Sequence, residues 1–188
     1  MLNIVLHEPE IPFNTGAIGR TCVATDTKLH LIRPYGFEIS DKYVKRAGMD
    51  YWEKLKLSEY MDYEDFLAKH PEIHFADEFS QETPGADDST DNVQPEAPKL
   101  WFATTKAQNV YSDVHLGPND FIMFGKESAG IPEEILVEHP KSCIRIPMWG
   151  DIRSLNLSNS VAVLLYEAYR QNGFEKLNKY GELHRLHW

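Results

Sequence analysis

Three short segments of this chain carry side chains that could do chemistry, and each begins where a strand would end. In Asn14-Thr15-Gly16-Ala17-Ile18-Gly19-Arg20 an amide and a guanidinium stand about one and a half helical turns apart, close enough to share a pocket rim. Gly16 and Gly19 keep one face of that helix bare for close approach; the plainer reading is a capped helix with a surface arginine. In residues 121–132, FIMFGKESAGIP, an apolar run meets Gly125, whose backbone a ligand could touch. Glu127 follows, able to anchor neighbouring loops through backbone N–H groups, and Pro132 opens a helix. The third segment, residues 144–160, runs IRIPMWGDIRSLNLSNS. Ile146 and Met148 bracket Pro147 and can offer backbone N–H and C=O to an adenine-like ring, while Ser154 and Asn156 supply a hydroxyl and an amide. Trp149 reads as a packing or surface residue. Loops of this kind hold ligands in α/β proteins. The GxGxxG, P-loop and GxSxG fingerprints are missing from the sequence.

The elements that must position these loops can be read from periodicity and caps. Strands are expected over 2–6, 28–32, 54–58, 100–104, 120–124 and 143–146, with helices over 14–25, 41–47, 63–69, 132–137 and about 157–172. Asn14 and Thr15, Ser40 and Asp62 are the expected N-caps of the first three helices. Alternation of strand and helix argues a mainly parallel sheet flanked by helices. In the last helix Leu157, Val161, Leu164, Leu165 and Ala168 make one apolar face, and Val163, Tyr166 and Tyr169 a second. A helix apolar on two sides is buried on two sides, in a core or at a dimer interface.

The chain has 188 residues, 42% apolar and 26% charged, enough for a single α/β domain. No apolar run reaches the ~18 residues of a membrane span, and MLNIVLHEPE lacks the basic region and cleavage site of a signal peptide. Cys22 and Cys143 are too few and too far apart for a disulfide framework, which fits a cytoplasmic location. His184 and His187 lack further ligands, so no metal is expected. The net charge of −10 argues at first against nucleic acid, but its distribution does not. Eight acids and no Lys or Arg fall between Glu72 and Pro98; setting those aside leaves 21 acids against 19 bases. Residues 74–98 are rich in Asp, Glu, Ser, Thr and Pro and read as a flexible acidic insertion, a solvated loop before an RNA-binding brake. The rest of 1–174 reads as one domain, followed by a charged tail, 175–188.

Taken together, NTGxxxR, FGxExxGIP and IPMxxxxRSLNLSNSVAVxxYEAxR closely resemble, in order and spacing, the three motifs of the SPOUT superfamily of RNA methyltransferases. The chain is most similar to the small tRNA (cytidine/uridine-34) ribose 2′-O-methyltransferases, and the likeness extends through MLNIVLHEPEIPFNTG, LIRPYGF, KRAGMDYW and ATTK. It covers nearly everything outside residues 74–98. That insertion, and the length of the basic tail, depart from the family pattern.

The resemblance implies a sheet whose C-terminal part threads a deep trefoil knot, an exception to unknotted topology. It implies S-adenosyl-L-methionine as cofactor, held by Ala103, Thr104, Gly125, Ile146, Met148, Ser154 and Leu155, with no metal. It implies Arg20 as the catalytic residue beside the 2′-hydroxyl of the wobble ribose, with Asn14, Glu127, Ser154 and Asn156 shaping the pocket. Because arginine is not readily deprotonated, Arg20 acts either as a base in an unusual environment or by orienting the hydroxyl and stabilising developing charge. The implied partners are a tRNA anticodon stem-loop, of leucine tRNAs, and a second copy of the chain in a homodimer. Candidate RNA contacts are Lys42, Arg46, Lys106, Arg153 and Tyr166, with Lys45, Tyr51 and Trp52 behind them; a solvated face or core packing is the plain alternative. The rivals are the same chemistry on another tRNA position or ribosomal RNA, and a non-catalytic RNA-binding dimer.

Overall fold

The computed structural model describes residues 1–37, 52–77 and 97–187. Among these, seven strands form one sheet: β1 (Asn3–His7), β2 (Lys28–Ile32), β3 (Leu57–Tyr60), β4 (Leu100–Ala103), β5 (Asn109–Val110), β6 (Phe121–Phe124) and β7 (Cys143–Arg145). Their order is β3-β2-β1-β6-β4-β7-β5, and every neighbouring pair is parallel. Four α-helices join them: α1 (Pro12–Ala24), α2 (Tyr63–Ala68), α3 (Glu133–Glu138) and α4 (Leu157–Gln171). The expected α/β architecture is therefore present, and the chain direction reverses its sideways march between β1 and β6.

Alternation along the strands sorts the core into two layers. Ile4, Leu6, Leu29, Leu31, Ile122 and Phe124 point to one face and pack with Ile18 and Cys22 of α1 and Val161, Leu164, Leu165 and Ala168 of α4. Val5, Ile32, Phe102, Phe121 and Met123 point to the other, against Phe66 of α2 and Leu136 of α3. All five β1 residues are buried, as a central parallel strand covered on both faces requires.

Helix ends differ instructively from the sequence expectation. Asp62 caps α2 as expected, accepting from the Asp65 N–H. Asn14 and Thr15, by contrast, are not caps: Pro12 stands at the first helical position, Ile11 precedes it, and both polar residues lie buried inside α1. Pro has no N–H to satisfy and a preset φ, so it starts the helix earlier than the polar pair. The strand expected over 54–58 lies later, because Trp52–Lys54 forms a 3-10 turn and pairing with β2 begins at Leu57. Trp52 itself packs against α1: a Cβ on Gly19 would sit 3.1 Å from its ring. The second face of α4 also divides. Tyr169 is drawn inward, its hydroxyl donating to the Thr25 carbonyl, while Val163 and Tyr166 stay exposed at 38% and 47%.

The ends of the acidic segment are attached. His74 pairs with Lys99, the Ala76 N–H donates to Ser142 Oγ at 2.8 Å, and the Lys141 N–H donates to Asp77 at 3.1 Å. These contacts narrow the expected loop at both ends; residues 78–96 lie outside the described residues, as do the expected helix 41–47 and Ser40, Lys42, Lys45, Arg46 and Tyr51.

Candidate functional site

A cavity of about 500 Å³ opens at the C-terminal ends of β4, β6 and β7. That is where an open parallel sheet leaves room for a ligand, because the strand ends diverge into loops that carry free backbone groups. Its walls come from four chain segments: the start of α1, residues 103–106, residues 124–130 and residues 144–164. Phe124, Ile144, Ile146, Leu157 and Leu164 supply apolar surface, while Thr104, Lys106, Glu127, Arg153, Ser154 and Asn156 supply polar groups.

All seven residues expected to hold a cofactor, Ala103, Thr104, Gly125, Ile146, Met148, Ser154 and Leu155, line this one cavity. So do Asn14, Glu127 and Asn156, and so do Lys106 and Arg153. Arg20 does not: it is exposed on α1, outside the lining. Six residues along a helix turn a side chain about 120° away and carry it about 9 Å along the axis. Asn14 and Arg20 therefore do not share the rim of this cavity. Arg20 falls instead on the α1 face of Phe13, seven residues away, which is 74% exposed. Tyr166 also lies outside the lining.

Side-chain amides join the three motifs. Asn14 Nδ2 donates to Glu127 Oε1 at 2.8 Å, and Asn14 Oδ1 accepts from Asn156 Nδ2 at 3.0 Å. Asn156 Oδ1 in turn caps α4, accepting from the N–H groups of Ser158 and Asn159. The other Glu127 oxygen accepts the Glu10 N–H at 2.9 Å. One carboxylate and two amides thus tie the β1–α1 loop, the β6–α3 loop and the β7–α4 loop to each other. An amide suits position 14, since it donates to a carboxylate and accepts from another amide at once.

Glu8 and Glu10 add two latches that sequence reasoning missed. Glu10 accepts from both the N–H and the Oγ of Ser128, at 2.9 and 2.8 Å, and these bonds hold its carboxyl below the usual carboxylate range. Glu8 pairs with Lys126 at 2.9 Å, raising the lysine. Glu8 has φ 53, a left-handed conformation uncommon for a residue with a Cβ, at the point where β1 bends away into the site. Two acids directly after an apolar strand, facing a Lys-Glu-Ser run at the end of another strand, were the available signal.

Gly125 lines the cavity and also has a role that its position in the sequence does not reveal. A Cβ there would lie 2.0 Å from the Gly130 carbonyl carbon and 2.1 Å from the Ile131 nitrogen. The absent side chain lets the loop close on itself, with the Gly130 N–H donating to the Lys126 carbonyl at 2.8 Å and Gly130 at φ 76. Across the cavity mouth Lys106 pairs with Glu133 at 2.6 Å, and Lys106 holds the Glu133 carboxyl below its ordinary range.

The profile of the SpoU rRNA Methylase family matches residues 1–166. The chain is 47% identical over 178 residues to a Listeria innocua protein provisionally named tRNA (cytidine(34)-2′-O)-methyltransferase, covering 93% of this chain and 90% of the relative. It is 42% identical over 176 residues to the tRNA (cytidine(34)-2′-O)-methyltransferase of Escherichia coli, covering 93% and 96% of the two chains. A solved structure described as giving structural insights into the 2-OH methylation of C/U34 on tRNA superposes with TM-score 0.74 at 35% identity, over 93% of this chain and 98% of that one.

Proposed function

Because the chain belongs to the SpoU rRNA methylase family, we propose that it transfers the methyl group of S-adenosyl-L-methionine to the ribose 2′-oxygen of the tRNA wobble nucleotide, a cytidine or modified uridine at position 34, in leucine tRNAs. The observation that carries this reading is the convergence of the three motif loops on one cavity, tied together by Asn14, Glu127 and Asn156. The names of the similar relatives support the substrate and the position of the methyl group.

The residues present fit the donor. The cavity volume of about 500 Å³ lies within the range of small-molecule sites. Its apolar walls suit a flat purine, and polar groups from four chain segments converge on it. When bound, S-adenosyl-L-methionine supplies a methyl group already activated by a sulfonium, so the reaction needs no protein nucleophile.

The protein's task is then placement and charge. Ile146 and Met148 would hold the purine through backbone groups, and Gly125, Ser154 and Leu155 line the same cavity. Asn14, Glu127 and Asn156 keep the loops in register, so that methyl and oxygen meet in line. Arg20 orients the 2′-hydroxyl and stabilises the negative charge that develops on oxygen, a role suited to a guanidinium that keeps its proton. Arg20 and the exposed Phe13 share one face of α1, and Val163 and Tyr166 are exposed on the neighbouring α4. In a cytoplasmic homodimer these surfaces meet the partner, and the acceptor ribose enters along that seam. The anticodon stem-loop is held by Lys42, Arg46, Lys106, Arg153 and Tyr166. The segment after β7 passes through the loop after β6 as a deep trefoil knot, a path that the missing Cβ of Gly125 favours by letting the loop close tightly.

The test is transfer from labelled S-adenosyl-L-methionine to tRNA from cells lacking this protein, followed by mass spectrometry of nuclease fragments. A 2′-O-methyl on nucleotide 34 is the expected result. A methyl elsewhere would move the substrate to another tRNA position or to ribosomal RNA. Binding without transfer would leave a non-catalytic RNA-binding dimer.

A further inference from the structure

The loop that walls one side of the cavity carries an apolar crest that is exposed among the described residues. Trp149 is 92% exposed, Ile152 60% and Leu155 41%. Met148, Arg153 and Leu155 all line the cavity, so the loop leaves its mouth after Met148 and returns to it by Arg153. Gly150, at φ 59, makes the turn that lifts Trp149 outward. An indole left in water forgoes a large apolar burial, and exposed apolar surface beside a ligand cavity marks a contact site.

The surrounding charge selects the partner. The rim cations Lys106 and Arg153 stand on the same cavity as this crest. An aromatic plane beside cations is the arrangement that grips single-stranded nucleic acid, with stacking on the base and charge on the phosphate. We infer that Trp149 stacks on a nucleobase of the RNA substrate, next to the nucleotide whose ribose is methylated, and so positions that ribose at the cavity mouth. The inference rests on the proposed methyl transfer to tRNA and adds a named base-stacking contact to it.

Trp149→Ala, Trp149→Leu and Trp149→Phe would be compared with the unaltered protein in steady-state methyl transfer to tRNA. S-adenosylhomocysteine affinity would be measured by calorimetry and oligomeric mass by light scattering. Stacking predicts that the Ala and Leu variants raise the KM for tRNA about tenfold, equal to about 1.4 kcal/mol, whereas Phe stays within about threefold. S-adenosylhomocysteine affinity and oligomeric mass should not change. A KM unchanged in Trp149→Ala, or restored equally by Leu and Phe, would overturn the inference. So would a parallel loss of S-adenosylhomocysteine affinity, which would make the loop a cofactor wall only, or a change of mass, which would make Trp149 a protein contact. If the unaltered protein transfers no methyl group to tRNA, the proposed function itself fails, a result distinct from any of these.

Discussion

Asn14 and Glu127, 113 residues apart in the chain, meet at 2.8 Å through an amide donor and a carboxylate acceptor. Asn14 is only 3% exposed and also accepts from Asn156, so it is the joint between three loops. Asn14→Ala leaves Glu127 and Asn156 each short of a partner and should cost about 1–3 kcal/mol, seen as a fall in melting temperature. Asn14→Asp should be worse at pH 7, because it sets a second carboxylate against Glu127. Acidification towards pH 4.5 should narrow that gap, as protonating the introduced acid removes the repulsion. Parallel melts of the two variants across this range check the order; equal melting temperatures at pH 7 would refute it.

Gly125→Ala should collapse the loop after β6. Its methyl group would stand 2.0 Å from backbone, which cannot swing away as a side chain can. The expected outcome is a loss of several degrees in melting temperature together with S-adenosylhomocysteine affinity. Gly181→Ala, with no heavy atom of the described residues within 4 Å of the new methyl, is the control and should leave both unchanged.

Arg20 is exposed and outside the cavity lining. If Arg20 serves the acceptor ribose as proposed, Arg20→Ala should abolish methyl transfer while S-adenosylhomocysteine affinity stays within a few-fold. Calorimetry on the variant decides the point; lost affinity would put Arg20 on the cofactor side.

His30 lies at the centre of a buried network, with Nδ1 2.7 Å from the Tyr60 hydroxyl and Nε2 3.2 Å from Asn3 Oδ1. Burial first, then the charges of Lys28 and His70, push its pKa down to about 3. The unfolded chain takes up that proton near pH 6.5, so the contribution of neutral His30 is present above pH 6.5 and lost as pH falls towards 3. Its slope cannot exceed about 1.4 kcal/mol per pH unit. His7, also lowered by burial, acts in the same direction. His30→Gln should flatten the fall in stability between pH 6 and pH 4, measured by urea unfolding. An unchanged slope would remove His30 from the account.

The acidic segment is attached beside Lys99, immediately before β4, while the cavity lies beyond Ala103 at the other end of that strand. Replacing residues 78–96 with a short Gly-Ser linker, and keeping Asp77, should leave the melting temperature and methyl transfer near their original values. A large loss of either would show that the segment contributes to the fold or the site.

Much of this architecture follows from local sequence. The span 28–32 reads as a strand from its apolar run and is one, because a central parallel strand needs both faces covered. The last helix is expected from about 157 and runs Leu157–Gln171, where Asn156 caps it because a polar side chain before an apolar periodic run satisfies the helix's first N–H groups. Glycines and small polar groups where strands end mark the three loops, while Ala103, Thr104 and Leu155 are expected at the site only through the family resemblance. What sequence alone misread depends on partners far along the chain. Asn14 resembled a cap and became a buried joint, since only the fold brings Glu127 and Asn156 to it. Gly125 is expected beside a ligand and lines the cavity, but the sequence does not show that Gly130 and Ile131 also require its missing side chain. The two-residue strand β5 exists only because β7 offers an edge at Asn109 and Val110, too short a stretch for any periodicity to reveal. Local propensity and patterning determined which segments would be strands, helices and loops. The tertiary structure decided which side chains meet, because a hydrogen bond across more than a hundred residues depends on the path of the whole chain between them.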